Sequence, residues 1–496
     1  MSTAFAELEQ RWAEIRDLEN GLSILGWDQQ VMMPPAGAGT RAHTLATLSG
    51  LVHERCTDDG LVKLVRRLSR KDAGLTPRQR RAVSLVSHRV DKARAVPADL
   101  ARRLAEHASA CLQSWQAARA AADWSLFADD LARMVDLKRE EAAARRRKGP
   151  LYDVLLDDFE PEATCAEVDP LLAELKAITV KLLARVRASA ERVDLSPFVG
   201  RFEVAAQRAF TRQLVEAMGI DLGRGRLDLS THPFCGGVAP DDVRMTSRYD
   251  RRDMRGGLFG AVHEAGHGLY EQGLDRRRAR TPLGGAISMA IHESQSRLWE
   301  NNVARSRPFW DHWAPRLRKA HPSLRGVKAE AFWRAANHIA PSPIRVEADE
   351  LTYTLHIILR HEIERELIEG RTEVADLPAR WNAGMVELLG LEPKDDAQGV
   401  LQDIHWGMGA IGYFPTYSLG NLYAAQFMEA ARKAIRGLDR KIASGDLQTL
   451  RDWLADKIHR HDQVYTAEAL VKRVTGKPLG TEAFGRHIRK KVKAIY

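Results

Sequence analysis

Apolar positions recur along this chain at the three- and four-residue spacing of an amphipathic helix. Leu8, Trp12 and Ile15 start the pattern, and Leu171, Leu172, Leu175, Ile178 and Leu182 repeat it later. The stretches 98–122 and 128–148 are rich in alanine, arginine and glutamate and contain no proline; such residues lose little freedom in a helix. Loops are expected at Pro34-Pro35 with Gly37 and Gly39, at Gly149-Pro150, at Pro341-Ser-Pro343 and at Gly476-Lys-Pro478. One region departs from this rhythm. Residues 226–232 and 242–248 alternate every second position around Gly236-Gly237, read as a turn. This predicts two short strands, a small sheet in an otherwise helical protein.

A second departure is the run from Ile404 to Met428, 25 residues without aspartate, glutamate, lysine or arginine. In a chain that is 28% charged, such a run arises by chance about three times in ten thousand, so burial is expected. The length would suit a membrane helix. Pro415, Asn421, Gln426 and the glycines at 407, 409, 412 and 420 predict instead a buried, irregular, polar-lined wall.

Composition narrows the class. With 496 residues, 44% hydrophobic, the chain has material for a large core, which excludes disorder, collagen and disulfide scaffolds. Cys56, Cys111, Cys165 and Cys235 form no CxxC pair, so neither a disulfide framework nor a zinc ribbon is indicated. The first residues lack the basic and apolar segments of a secretory signal, and a cytoplasmic location is expected. The net charge of +9 is small. The basic runs 145–148, 276–278 and 489–491 lack interleaved aromatics and are read as solvated faces and loop ends, not as a nucleic-acid site.

The strongest chemical signal is His263-Glu-Ala-Gly-His267. Positions i and i+4 of a helix share a face, so His263 and His267 can present two imidazoles to one zinc ion. Glu264 is adjacent and can serve as general base without being a ligand. Leu258, Val262 and Leu269 support the helix, with Gly273 as its stop. A peptidase needs a third ligand and an open fourth position. Glu293 is the first choice, reached across the flexible loop Thr281-Pro-Leu-Gly-Gly285; Glu300 and His292 are rivals.

These residues resemble the thermostable carboxypeptidase Taq family of HExxH metallocarboxypeptidases. His292-Glu-Ser-Gln-Ser296 follows the HExxH motif, Asp242-Val-Arg-Met-Thr246 matches DxRxT, Ile344-Arg-Val-Glu-Ala-Asp349 matches IRxxAD, and Gly399-Val-Leu-Gln-Asp-Ile-His-Trp406 matches GxxQDxHW. Trp27-Asp-Gln29, Met33-Pro34 and Thr475-Gly-Lys-Pro-Leu479 also look familial. The resemblance implies a mostly α-helical, elongated fold similar to neurolysin and angiotensin-converting enzyme, with a deep central groove and the small sheet beside the zinc helix. A single catalytic domain spans 1–496, its helical part about 1–200 lining the groove and its zinc-binding part about 201–496. It further implies a homodimer with one zinc per subunit (cobalt possible), acting on peptides with a free C-terminus, with broad specificity and without nucleic-acid or membrane partners. Several related zinc helices carry an acidic residue four positions after the glutamate ligand. Here that position is Arg297, so what orients the histidines is open.

Within that reading the metal ligands are His263, His267 and Glu293, and Glu264 moves the proton. His405, Tyr413 and Tyr417 are candidate donors to the developing oxyanion, and similarity to related helical peptidases favours His405 and Tyr417. A C-terminal carboxylate calls for an arginine fork. Arg345 is the first choice and Arg244 the second, the plain alternative for either being an internal ion pair with Asp349 or Asp242. His232 can line the cleft against substrate backbone. Two competing readings are an endo-acting oligopeptidase on the same scaffold and a helical binding protein in which zinc is structural, the latter requiring four protein ligands.

Overall fold

The computed structural model describes residues 3–145 and 148–496. It is mostly helical, as expected, with a single three-stranded sheet among the described residues. The predicted helices near the start, in 98–122 and 128–148, and through Leu171 to Leu182 are present as Thr3–Val31, Ala98–Ala121, Ser125–Ala144 and Cys165–Ala188. No helix of the described residues is long and apolar enough to cross a membrane.

The sheet differs from the expectation. Its strands are β1 (Gly225–Leu229), β2 (Cys235–Ala239) and β3 (Asp242–Ser247), in the order β1-β3-β2, with β1 parallel and β2 antiparallel to central β3. Gly236 and Gly237 therefore lie inside a strand, and the reversal follows Ala239. The alternation stops after Leu229, where the Ser230 hydroxyl donates to the His232 carbonyl and bonds the Thr246 hydroxyl of β3, bending 230–232 out of the strand while Ser230 stays tied to β3. The sheet lies against the helix Arg255–Gly273, which carries the HExxH motif. Met245 of β3 packs so tightly on it that a Cβ at Gly268 would come within 2.7 Å of its sulfur.

The uncharged run divides in two. Residues 404–414 are irregular, but 415–428 belong to a regular helix, Pro415–Ala434. Pro415 sits in the first turn, where its missing N–H removes no helix bond. Gln426 is buried but satisfied, donating to the Thr475 hydroxyl and the Pro478 carbonyl.

Two apolar cores form. The larger runs from Cys111 to Val492 and contains the buried face of the HExxH helix. A smaller one joins the helices Thr3–Val31, Ala38–Thr57, Asp59–Leu68 and Pro77–Ala95 around Leu8, Trp12, Leu61, Val65, Val83 and Val86. One buried residue from far along the chain completes it, Leu283. The loop expected to be flexible, 281–285, is thus pinned. Gln463 donates from its backbone to the Leu283 carbonyl and from its side chain to the Gly284 carbonyl.

The basic runs are also less solvated than expected, because each brings one cation among carboxylates that are buried or half-buried. Arg145 is clasped by Glu141 and Asp158, Arg278 by Asp275 and Asp462, and Lys491 by Glu350. Arg146 and Arg147 lie outside the described residues.

Candidate metal centre and cleft

Three helices meet at the site, and two glycines let them close. The HExxH helix crosses the helix Met289–Arg297, which carries Glu293. A Cβ at Gly266 would lie 2.6 Å from the Ser296 Cα and 2.7 Å from the Gln295 carbonyl oxygen. The helix Pro415–Ala434 approaches from another side, where a Cβ at Gly420 would lie 2.7 Å from the Glu293 Cγ. The start of the glutamate helix is fixed by Ser288, whose hydroxyl accepts from Ile291 N–H, and by buried Glu160, which accepts from Ala290 N–H and from the Thr416 hydroxyl.

His263, His267 and Glu293 form the one cluster of metal-ligand type found among the described residues, their donor atoms all within 4.8 Å of one another. His263 Nε2 lies 3.5 Å and His267 Nε2 3.3 Å from the same oxygen, Glu293 Oε2. Donors about 2.0–2.1 Å from a tetrahedral ion stand about 3.4 Å apart, so these separations fit one ion placed between the three atoms. Both imidazoles have their other nitrogen engaged, which fixes Nε2 toward Glu293. His263 Nδ1 bonds Glu300 Oε2 at 3.0 Å; His267 Nδ1 bonds His292 Nδ1 at 2.5 Å, and His292 Nε2 bonds Glu271 Oε1 at 2.7 Å. Glu300 and His292, the rivals for the third ligand, are therefore on the far sides of the two imidazoles. Glu271 went unnoticed in the sequence although it stands four residues after His267, the spacing that stacks side chains on one helical face.

Glu264 is buried beside the cluster, and burial pushes its carboxyl up to about 7. That is the range in which a carboxylate accepts and returns a proton efficiently. His405 lies on the irregular segment, tilted against Phe414 and Tyr413 with ring centroids 4.7 and 5.3 Å apart. Burial lowers its pKa to about 4, keeping it neutral near pH 7. Tyr413 and Tyr417 pack edge to face at 5.3 Å, and Tyr417 meets Tyr353 the same way at 5.8 Å.

The two arginines part company. Arg345 is buried and ion-paired, but its partner is Asp403 and not Asp349. Its Nε and Nη2 donate to Asp403 Oδ1 at 3.1 and 2.7 Å, and its Nη1 donates to the Tyr353 hydroxyl at 2.9 Å. Asp349 is occupied in capping the next helical turn, accepting from Leu351 and Thr352 N–H. Asp403 is shared: fully buried Arg360 donates from Nε to Oδ2 at 2.7 Å. Two guanidinium groups thus face one carboxylate, and their charge holds Asp403 ionised far below the usual range although burial opposes it. Arg244 forms a two-pronged pair with Asp242, at 2.8 and 2.9 Å, and lies 4.4 Å from the centre of the Trp27 ring, which also carries Arg226 at 4.9 Å. His232 is exposed in the turn after β1. The sequence analysis missed Tyr353, Arg360 and Asp403. The last stands two residues before His405 in a signature already singled out, which was the signal available.

Comparison with known proteins follows the same line. A family model described as carboxypeptidase Taq (M32) metallopeptidase matches residues 7–492. Thermostable carboxypeptidase 1 of Thermus thermophilus is 41% identical over 485 residues, 96% of this chain and 95% of its own. Carboxypeptidase 1 of Bacillus subtilis is 33% identical over 483 residues, 97% of this chain and 96% of its own. The crystal structure of an M32 carboxypeptidase from Deinococcus radiodurans is similar with a TM-score of 0.96 at 37% identity, covering 100% of both chains.

Proposed function

The chain belongs to the carboxypeptidase Taq (M32) family of metallopeptidases, and from that membership we propose a zinc-dependent carboxypeptidase of broad specificity, with cobalt as a possible substitute, that works as one catalytic domain. The observation that carries the metal is the spacing of His263, His267 and Glu293, two imidazole nitrogens at 3.5 and 3.3 Å from one carboxylate oxygen. A divalent cation held there supplies Lewis acidity, polarising the scissile carbonyl and making water nucleophilic near neutral pH.

The chain's own residues do the rest. Glu264 takes a proton from the attacking water and returns it to the leaving amine, a role its carboxyl suits with a pKa of about 7. His405 and the Tyr417 hydroxyl donate to the oxygen that gains negative charge. Arg345, pre-set by Asp403 and Tyr353, receives the C-terminal carboxylate, and the second guanidinium on Asp403 leaves the pair with positive charge to offer. Arg244 is committed to Asp242 and Trp27 and serves the peptide's path only indirectly; His232 and Tyr413 line that path. A homodimer in the cytoplasm completes the reading.

A peptide with a free C-terminus, tested beside its amidated twin, separates this from an endo-acting oligopeptidase. Mass spectrometry should show single residues lost from the free acid and slow or no trimming of the amide. Equal cleavage of both would overturn the assignment. Glu264→Gln should retain the ion and lose turnover by about 10²–10⁴-fold.

A further inference from the structure

A carboxylate can hold a metal by one oxygen or by both, and which it does decides whether a coordination position stays open for water and substrate. In this chain the choice is made by a neighbour. Arg297 Nε donates to Glu293 Oε1 at 2.7 Å, a charge-assisted bond that occupies the oxygen turned away from the histidines. Glu293 Oε2, which accepts from the Ser296 hydroxyl at 2.8 Å, is the oxygen facing both Nε2 atoms.

The guanidinium is itself tightly fixed. It lies 4.4 Å from the centre of the Tyr353 ring, and its Nη1 reaches Glu300 Oε2 at 3.4 Å. Glu300 stands in a π-helical turn, Leu298–Ala304, that directly continues the glutamate helix, and it also accepts from Arg305. Its Oε2 is the atom bonded to His263 Nδ1. Arg297 therefore closes a ring that runs from Glu293 through Glu300 to His263, tying two of the three ligand side chains together. An acidic residue at this position, as the related zinc helices suggest, could orient a histidine but could not clasp Glu293.

We propose that Arg297 is a positioning residue that holds Glu293 to ligation through Oε2 alone and thereby keeps the site open. The inference rests on the metal reading above and concerns only how the third ligand is presented. Removing the guanidinium frees Oε1 to turn toward the ion and takes away a repelling charge, so the ion becomes more fully coordinated and leaves more slowly.

The test uses the full-length protein loaded with Co²⁺, whose visible absorbance is strong in four-coordinate sites and weak in more highly coordinated ones. In Arg297→Met the molar absorbance should fall several-fold, and release of the ion to a chelator should slow several-fold, opposite to the loss of affinity usual when a partner behind a ligand is removed. Arg297→Lys keeps the buried charge but can grip only one partner, so it should shift both readings part of the way. Its spectrum decides alone if the methionine variant does not fold. A spectrum and release rate unchanged in the folded variants would overturn the proposal, as would faster release with the wild-type spectrum, which marks a mere prop. A wild-type protein that takes up no Co²⁺ would instead overturn the metal reading itself.

Discussion

Glu160 shows how one buried side chain ties the site to the pH of the solution. Its Oε1 accepts from Ala290 N–H at the head of the glutamate helix and from Thr416 on the opposing helix, and burial pushes its carboxyl up to about 7 from an ordinary 4.5. Between those values the folded state keeps a proton that the unfolded state has lost. Stability contributed by this group is therefore greatest below about pH 4.5, falls as pH rises toward about 7, and is level above, a change of at most about 3 kcal/mol. Glu160→Gln keeps the accepting oxygen and removes the titration, so its urea midpoint should fall less steeply across that window; an identical pH slope in both proteins would exclude Glu160 as the source. At the same scale, Tyr417→Phe should lower kcat by about 10²–10³-fold with KM nearly unchanged, the signature of a donor felt only in the transition state. Equal kcat would remove Tyr417 from the chemistry. Single residues of this kind were legible when a motif named them, as with His263, Glu264 and Glu293. Arg345 was found but its partner was not, because Asp403 lies 58 positions away along the chain and only folding brings the two together.

Elements carry the precision of the proposed metal site, and they do so through absent side chains. Gly266 and Gly420 allow three helices to converge on Glu293, and in both places a methyl group would meet backbone or Glu293 itself at under 3 Å. Gly266→Ala and Gly420→Ala should each cost about 1–3 kcal/mol of stability through overpacking. Because the strain falls on Glu293 at Gly420 and on the helix that carries it at Gly266, metal affinity measured by chelator competition should drop by about 10–100-fold. Stability loss without any change in affinity would show that the helices yield elsewhere. This layer was invisible beforehand, since a helical glycine reads from sequence only as a weak helix former. The HExxH helix and its end at Gly273 were legible because apolar periodicity and the i, i+4 histidines agree. The sheet was read short by one strand because the paired glycines of β2 carry the usual marks of a turn.

At the scale of the whole molecule the unequal cores matter most. The N-terminal helices, residues 3–95, build their own apolar interior, to which the rest of the chain adds buried Leu283 and half-buried Val464, with polar ties such as Ser23 to the Gly237 carbonyl, Arg280 to Asp17 and Arg81 to Glu162. Leu283→Ala should destabilise that unit by about 2–5 kcal/mol. Hydrogen exchange should then quicken in 3–95 while the HExxH helix keeps its protection; uniform quickening would mean that the two cores open as one. The helical class was plain from periodicity, whereas the division of the interior depends on which distant leucine fills which gap. That division also sets the order in which heat would undo the protein. The lesser interior, with fewer apolar side chains to lose, gives way first, and its first helix is tied through Ser23 to β2 of the sheet that lies against the HExxH helix. Warming would thus silence the proposed enzyme while most of its circular dichroism signal persists, and prompt cooling would restore it.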